Sequence, residues 1–338
     1  MRKTFTTIST IIFTLLAFNS IAKAEVKVVA SIKPIHSLVS YVMDGVGKPD
    51  IIVDGYNSPH NFSLKPSHAK MIEKANLIIW VGEDLETFLE KPLKSISKEA
   101  VNVEIMDLKG IKKLKFREKN IFEGHDDHGH GNKEHKEHGH DEHKEHGHDE
   151  HKEQGHKEKK HGDHGHEGHA HGEHDPHVWL DPMNAKVIVK EIENQLVKLD
   201  PDNASKYKAN SKKAQSELDN LTKNIKRDLK KDLRFVVFHD AYQYFENRFG
   251  IKVLGALTVN PDVLPGAEQL SEIREVIEHE KVNCLFSEPQ FNPAIIKSIA
   301  KDTKVKTGVL DPLGATIEQG KGMYTKLLSN MYSSFKGC

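Results

Sequence analysis

Residues 124–175 place the strongest limit on what this chain can fold into. They hold seventeen of its twenty-three histidines and one apolar side chain, Ala170, in fifty-two positions. The centre is a repeat of eight: residues 135–142 read HKEHGHDE, 143–150 repeat it letter for letter, and 151–158 repeat it loosely as HKEQGHKE. Ordering a backbone costs about 1–2 kcal/mol per residue, and one alanine offers almost nothing to bury in return. The segment is therefore expected to be disordered until something binds it. Dense imidazole interspersed with carboxylate suits a borderline divalent metal, zinc before copper or nickel. The bland alternative is a low-complexity expansion with no role. Either way, a folded core must come from the two flanks.

The first twenty-four residues read as a secretory signal peptide. Arg2 and Lys3 form a basic start, residues 8–21 are mostly apolar, and Ala22-Lys23-Ala24 gives the small-x-small cleavage pattern. That apolar stretch is short for a bilayer span, no later run reaches spanning length, and no cysteine follows the cleavage site to carry a lipid. The expectation is cleavage near Ala24 and a mature, exported protein that is not membrane-embedded. In an oxidising compartment the default for the two cysteines, Cys284 and Cys338, is one disulfide that pins the chain's end. The alternative is a buried thiol and a loose terminal one.

Charge excludes one class of partner. The histidine-rich segment carries fifteen acidic and seven basic residues, a net of −8, in a chain whose overall formal charge is −1. Without it and the signal peptide the body is mildly basic, at +4. No basic stripe with interleaved aromatics is present, so no nucleic-acid partner is expected.

Outside the segment, apolar strand-like runs alternate with amphipathic helical ones. Strands are expected at 26–30, 51–53 and 77–81, with helices at 34–44 and 67–75 between them. After the segment, Asp181-Pro182 has the N-cap and first-turn signature of a helix reaching about Leu199. Asp200-Pro201 repeats it and opens a long polar helix, 201–231, expected to be solvated over most of its surface, as a strut between lobes is. A second block follows: strands at 235–238, 253–257, 282–286 and 305–310, helices at 240–249, 268–279 and 293–300. Strands alternating with helices imply parallel sheets. The expected fold is α/β, with two lobes: 25–200, carrying the insert, and 232–338. Ligands in such folds sit outside the carboxyl ends of the strands.

Three histidines lie where that rule puts a ligand: His60 after the second strand, His177 where order is expected to resume, and His239 at the end of a strand. Spacing alone does not force them together. His36, His68 and His279 lie within helices and are read as locally satisfied. Glu288 and Asp240 are read as turn and cap residues.

The stretches SIKPIHSLV, NSPHNFSLKPS, HDPHVWLDP, FHDAYQYFENRFG, TVNPDVLPG, FSEPQFNP and LDPLG occur in this order along nearly the whole mature chain. Together they resemble the metal-binding class of substrate-binding proteins of ABC importers. Within that class the chain is similar to the periplasmic zinc-binding members, which also carry a His/acidic loop in the first lobe and a cysteine pair in the second. The resemblance implies two α/β lobes joined by a rigid helix. It implies Zn2+ held in the cleft between them by His60, His177 and His239, and delivery to an ABC permease. The protein is expected to act as a monomer.

The fourth ligand is left between two candidates. Asp311 matches an aspartate that ligates metal in manganese-type relatives, and the other candidate is a water. Some zinc members carry a glutamate just before the first histidine, where this chain has Pro59. Three imidazoles and one oxygen suit tetrahedral zinc. Three histidines and a water also describe a zinc hydrolase, but no HExxH-type motif accompanies them. A secreted zinc buffer or adhesin is the other alternative to import.

Overall fold

The computed structural model describes residues 25–117, 119–122, 172–230, 232–261 and 263–338. Residues 1–24 and residues 124–171 of the insert fall outside them, and so do the expectations of a cleaved signal peptide and of disorder there.

The first sheet is built around β1 (Val28–Ile32), whose five residues are all buried. β2 (Asp50–Val53) and β3 (Leu77–Trp80) flank it, β4 (Val101–Glu104) pairs with β3, and every pairing is parallel. The second sheet repeats the plan around β5 (Arg234–His239), with β6 (Lys252–Thr258) and β7 (Cys284–Ser287) beside it and β8 (Lys306–Val309) outside β7, again all parallel. Unbroken apolar runs such as VVASI and FVVF belong in central parallel strands, which helices cover on both faces. In the first lobe the covering elements are α1 (Lys33–Val42), α2 (Pro66–Glu73) and α3 (Thr87–Ser95).

Two helices follow the insert. α4 (Pro182–Leu199) starts as read: the Asp181 side chain accepts from the Met183 backbone N–H at 2.8 Å. α5 (Ala204–Asp228) begins three residues later than expected, because Pro201–Asn203 form a 3-10 turn. At 1.5 Å per residue it is about 37 Å long. Most of its surface is solvated, as expected, and one narrow stripe is buried. Tyr207, Ser211, Ala214, Leu218 and Ile225 recur at three-, four- and seven-residue steps and are buried, and the helix packs on α1, α4 and the C-terminal helix.

The second lobe adds α6 (Gln243–Phe249), α7 (Ala267–His279), α8 (Ala294–Thr303) and α9 (Met323–Lys336). α6 starts at Gln243 and not at Asp240. The Asp240 carboxylate accepts from Arg117 at 2.8 Å and is not a cap. α3, β4 and α9 lie outside the sequence reading. β4 is a half-exposed edge strand and α3 contains Pro92, so neither carries a clean pattern.

One apolar core runs through both lobes, from β1 and α1 to β5, β7 and α9. Cross-connections tie them further. The Trp179 indole donates to the Pro312 carbonyl at 2.8 Å, the Lys33 ammonium to the carbonyls of Ala315 and Ile317 at 3.2 and 2.7 Å, and the Arg248 fork to Asp181 at 2.7 and 2.6 Å. Cys284 and Cys338 form the expected disulfide, which fastens the end of α9 to the start of β7. Among the described residues no helix is long and apolar enough to cross a membrane.

The expectation of disorder fails at the last residues of the insert. The reading placed Asp175 at the end of a disordered insert, yet Gly172 to Asp175 are described and Asp175 is fully buried.

Candidate metal centre

In a parallel sheet whose order runs β6-β5-β7-β8, the connections leaving β5 and β7 diverge, and a crevice opens at their carboxyl ends. His239 is the last residue of β5 and Glu288 immediately follows β7. The register Val237↔Phe286 carries these two residues to the same level. There the His239 Nδ1–H donates to both Glu288 oxygens, at 2.8 and 2.9 Å. Both residues are buried.

His177 is held by a local turn. Asp175, two residues earlier, accepts from the His177 backbone N–H at 2.9 Å and from its Nδ1 at 2.6 Å through the same oxygen. With both Nδ1 atoms engaged by carboxylates, the two Nε2 atoms face each other at 3.2 Å. Two nitrogens bound at 2.0–2.1 Å to a tetrahedral ion would stand about 3.3–3.4 Å apart. The spacing already matches a shared metal.

His60 comes from the other sheet, on the loop after β2, where its backbone N–H donates to Ser58 Oγ at 3.3 Å. Its ring centroid lies 5.5 Å from that of His177 and 5.6 Å from that of His239. One nitrogen from each of the three rings lies within 4.8 Å of the others. The cavity beside them is about 10 Å³ and is walled by Pro59, Trp179, Phe291, Pro312 and Leu313. That is room for an ion or one water, and for no organic substrate.

The electrostatics split the pair of buried rings. Burial, reinforced by His239, holds the His177 pKa well below 6.5, so this ring is neutral at ordinary pH. Burial also depresses His239, but the adjacent Glu288 charge and hydrogen bond outweigh it and the net shift is upward. Burial pushes the Asp175 carboxyl up to about 7, against the His177 amide bond and the charges of His239 and Arg117.

Asp311 is not in the group whose ligand atoms lie within 4.8 Å of one another. Its Oδ1 accepts from Gln290 at 3.0 Å and from the backbone N–H groups of Leu313 and Gly314 at 3.2 and 2.8 Å, while its Oδ2 is buried without a hydrogen-bond partner. His36 and His68 have the local roles read for them. His36 Nε2 meets the Pro49 carbonyl at 3.2 Å, and His68 Nδ1 accepts from the Lys65 N–H at the start of α2. His279 is the last residue of α7.

Two residues beside the histidines were given other places by the sequence: Asp175 fell in the insert, and Glu288 read as a turn residue. Asp175 was hidden by the acidic repeat that precedes it, although its position two before His177 was a signal. Glu288 is visible only once β5 and β7 are known to be neighbours.

The family described as zinc-uptake complex component A, periplasmic (ZnuA) matches residues 28–338. The high-affinity zinc uptake system protein ZnuA of Brucella abortus is 50% identical over 322 residues, covering 95% of this chain and 93% of that one. Its counterpart in Haemophilus influenzae is 42% identical over 337 residues, covering 98% and 97%. Among solved structures, a crystal structure of ZnuA superposes with a TM-score of 0.69 at 21% identity, covering 93% of this chain and 99% of that one. The laminin-binding protein of Streptococcus agalactiae, described as an adhesin with metal-transporting activity, gives 0.67 at 22% identity, covering 92% and 99%. At that identity both structures speak for the fold alone.

Proposed function

This chain belongs to the family of periplasmic zinc-uptake complex component A, and from that premise we propose that it captures Zn2+ outside the cytoplasmic membrane and hands it to the permease of an ABC importer. It is a transport component and not an enzyme. His60, His177 and His239 are the ligands in this reading, each through one imidazole nitrogen. The observation that carries it is the pair of Nε2 atoms 3.2 Å apart, each on a ring whose Nδ1 is held by a buried carboxylate. A carboxylate behind a ligating imidazole fixes its tautomer and raises its basicity. The fourth ligand in this proposal is a water or the Asp311 carboxylate, whose Oδ1 is engaged by its own turn and whose Oδ2 has no hydrogen-bond partner.

The zinc is cargo, so the site must bind tightly and still release. Ligands from the carboxyl ends of two sheets allow this, because a small shift of the His60 loop removes one nitrogen and leaves the other two in place. The histidine-rich insert is an auxiliary zinc binder in this scheme, on its composition. The protein works as an exported monomer after cleavage near Ala24.

The test is a competition titration with a chromophoric chelator on the mature protein and on His239→Ala. Loss of one of three nitrogens should weaken zinc by more than about 100-fold, beyond the 10–100-fold that loss of an outer hydrogen bond causes. Unchanged affinity would remove the assignment. Zinc uptake that stays the same when the permease is deleted would remove the transport role.

A further inference from the structure

The two ends of the histidine-rich insert are strapped to the second lobe. On the way out, the Leu114 N–H donates to the Tyr244 hydroxyl at 3.0 Å, and Gln243 Nε2 donates to the Lys115 carbonyl at 3.3 Å. Arg117 then forks onto Asp240 and Glu246. Residues 120–122 next pair antiparallel with β6, the edge strand: Ala256 N–H to Asn120 carbonyl at 2.8 Å, Phe122 N–H to Leu254 carbonyl at 2.9 Å. A Cβ at Gly255 would stand 2.9 Å from the Asn120 carbonyl oxygen, so the strap fits because that strand position has no side chain.

The returning end pairs with the outgoing one. Phe116 N–H donates to the Glu173 carbonyl at 3.4 Å and Asp175 N–H to the Leu114 carbonyl at 2.9 Å. This brings Asp175 to a point where all three of its oxygens are engaged. Its carbonyl accepts from the Tyr244 hydroxyl at 2.6 Å, its Oδ2 from Gln243 Nε2 at 3.1 Å, and its Oδ1 from His177.

We propose that this paired base of the insert is a working part of the zinc site, in which Gln243 and Tyr244 clamp the strap and Asp175, at its end, aims His177 Nε2 at the metal. The inference rests on the reading of His177 as a ligand. Asp175, Gln243 and Tyr244 are positioning residues in it, and none of them touches zinc. The insert is thus free to vary between its two ends, but its last residues are not.

The experiment compares Asp175→Ala, Asp175→Asn and Tyr244→Phe with two excisions in the otherwise intact mature chain, one of residues 125–171 and one of 125–175. Zinc affinity is read by chelator competition. The nitrogen that His177 uses is read by long-range 15N–1H correlation on the zinc-loaded, 15N-histidine-labelled protein. Asp175→Ala should weaken zinc 10–100-fold and give His177 a mixture of Nε2 and Nδ1 coordination. Tyr244→Phe should weaken it several-fold. Excision of 125–171 should leave the tight site as it was, and excision of 125–175 should reproduce Asp175→Ala. Should Asp175→Ala not fold, Asp175→Asn and Tyr244→Phe carry the test. Wild-type affinity with pure Nε2 coordination in Asp175→Asn and Tyr244→Phe overturns the proposal, provided His177→Ala has lost tight zinc. If His177→Ala still binds tightly, the ligand assignment itself has failed.

Discussion

His239 lies between two opposing effects, and their balance sets how the site responds to acid. Burial disfavours the imidazolium, yet the Glu288 carboxylate stabilises it more, and the pKa ends above 6.5. In the proposed site zinc needs the neutral ring, so a proton competes with the metal. Affinity is therefore full above the His239 pKa and falls as pH drops through it. His177, held well below 6.5, adds competition only in stronger acid. Glu288→Gln should act in two directions. It should weaken zinc roughly 10–100-fold at neutral pH by loosening the ring, and it should move the acid limb of the pH profile to lower pH by removing the charge that favours imidazolium. Chelator competition from pH 5 to 8 on both proteins reads both effects, and an acid limb that does not move would mean Glu288 leaves the His239 proton untouched. The three histidines were legible through the motifs around them. Nothing in a separation of 62 residues forecasts the contact between His177 and His239. Glu288 was legible as a turn residue only, because its partner comes from a neighbouring strand.

Among the elements, α9 shows how far a pattern can be missed and still matter. Met323, Tyr324, Leu327, Leu328, Met331 and Phe335 are buried at helical spacing, and the helix crosses back to α1, where the Tyr324 N–H donates to Ser37 Oγ at 2.9 Å. The disulfide fixes its end to β7 across a separation of 54 residues. Replacing both cysteines by serine should lower stability by about 2–4 kcal/mol, visible as a lower melting temperature of the zinc-free protein. Zinc affinity should hardly change, since Cys284 begins β7 and Glu288 stands past its far end; a large loss of affinity would show that the strand's position depends on the bridge. Strand and helix identity were legible wherever apolar runs alternated cleanly, as in β1, β3 and β5. Boundaries moved where a charged residue had a distant partner. Asp240 reads as a cap locally, but it is taken by Arg117 across 123 positions, so α6 starts later.

At the scale of the whole molecule, the two sheets share one strand order and each sends a histidine to the same cavity. A wide clamshell motion would have to break what ties the lobes together. The Trp179–Pro312 and Lys33–Ala315/Ile317 bonds, the pair of buried Asp181 with half-buried Arg248 and a continuous core all cross between them. Opening would expose apolar core at about 25 cal/mol per Å² and strand the buried Asp181 charge, an expensive route for a carrier that must cycle. Local motion is cheaper. His60 sits half-buried on a loop, while His177 and His239 are buried and anchored. Exchange of zinc should accordingly proceed by displacement of the 54–62 loop with the lobes nearly fixed. For a protein with residues 125–171 excised, whose radius of gyration should be about 18 Å, zinc-free and zinc-loaded forms should then differ by less than about 1 Å in small-angle scattering. Amide hydrogen exchange should slow on zinc binding mainly at residues 54–62, and little in β1 or β5. A change of several ångströms in radius, or protection spread evenly over both lobes, would mean that the cross-lobe bonds yield and that the whole cleft closes on its cargo.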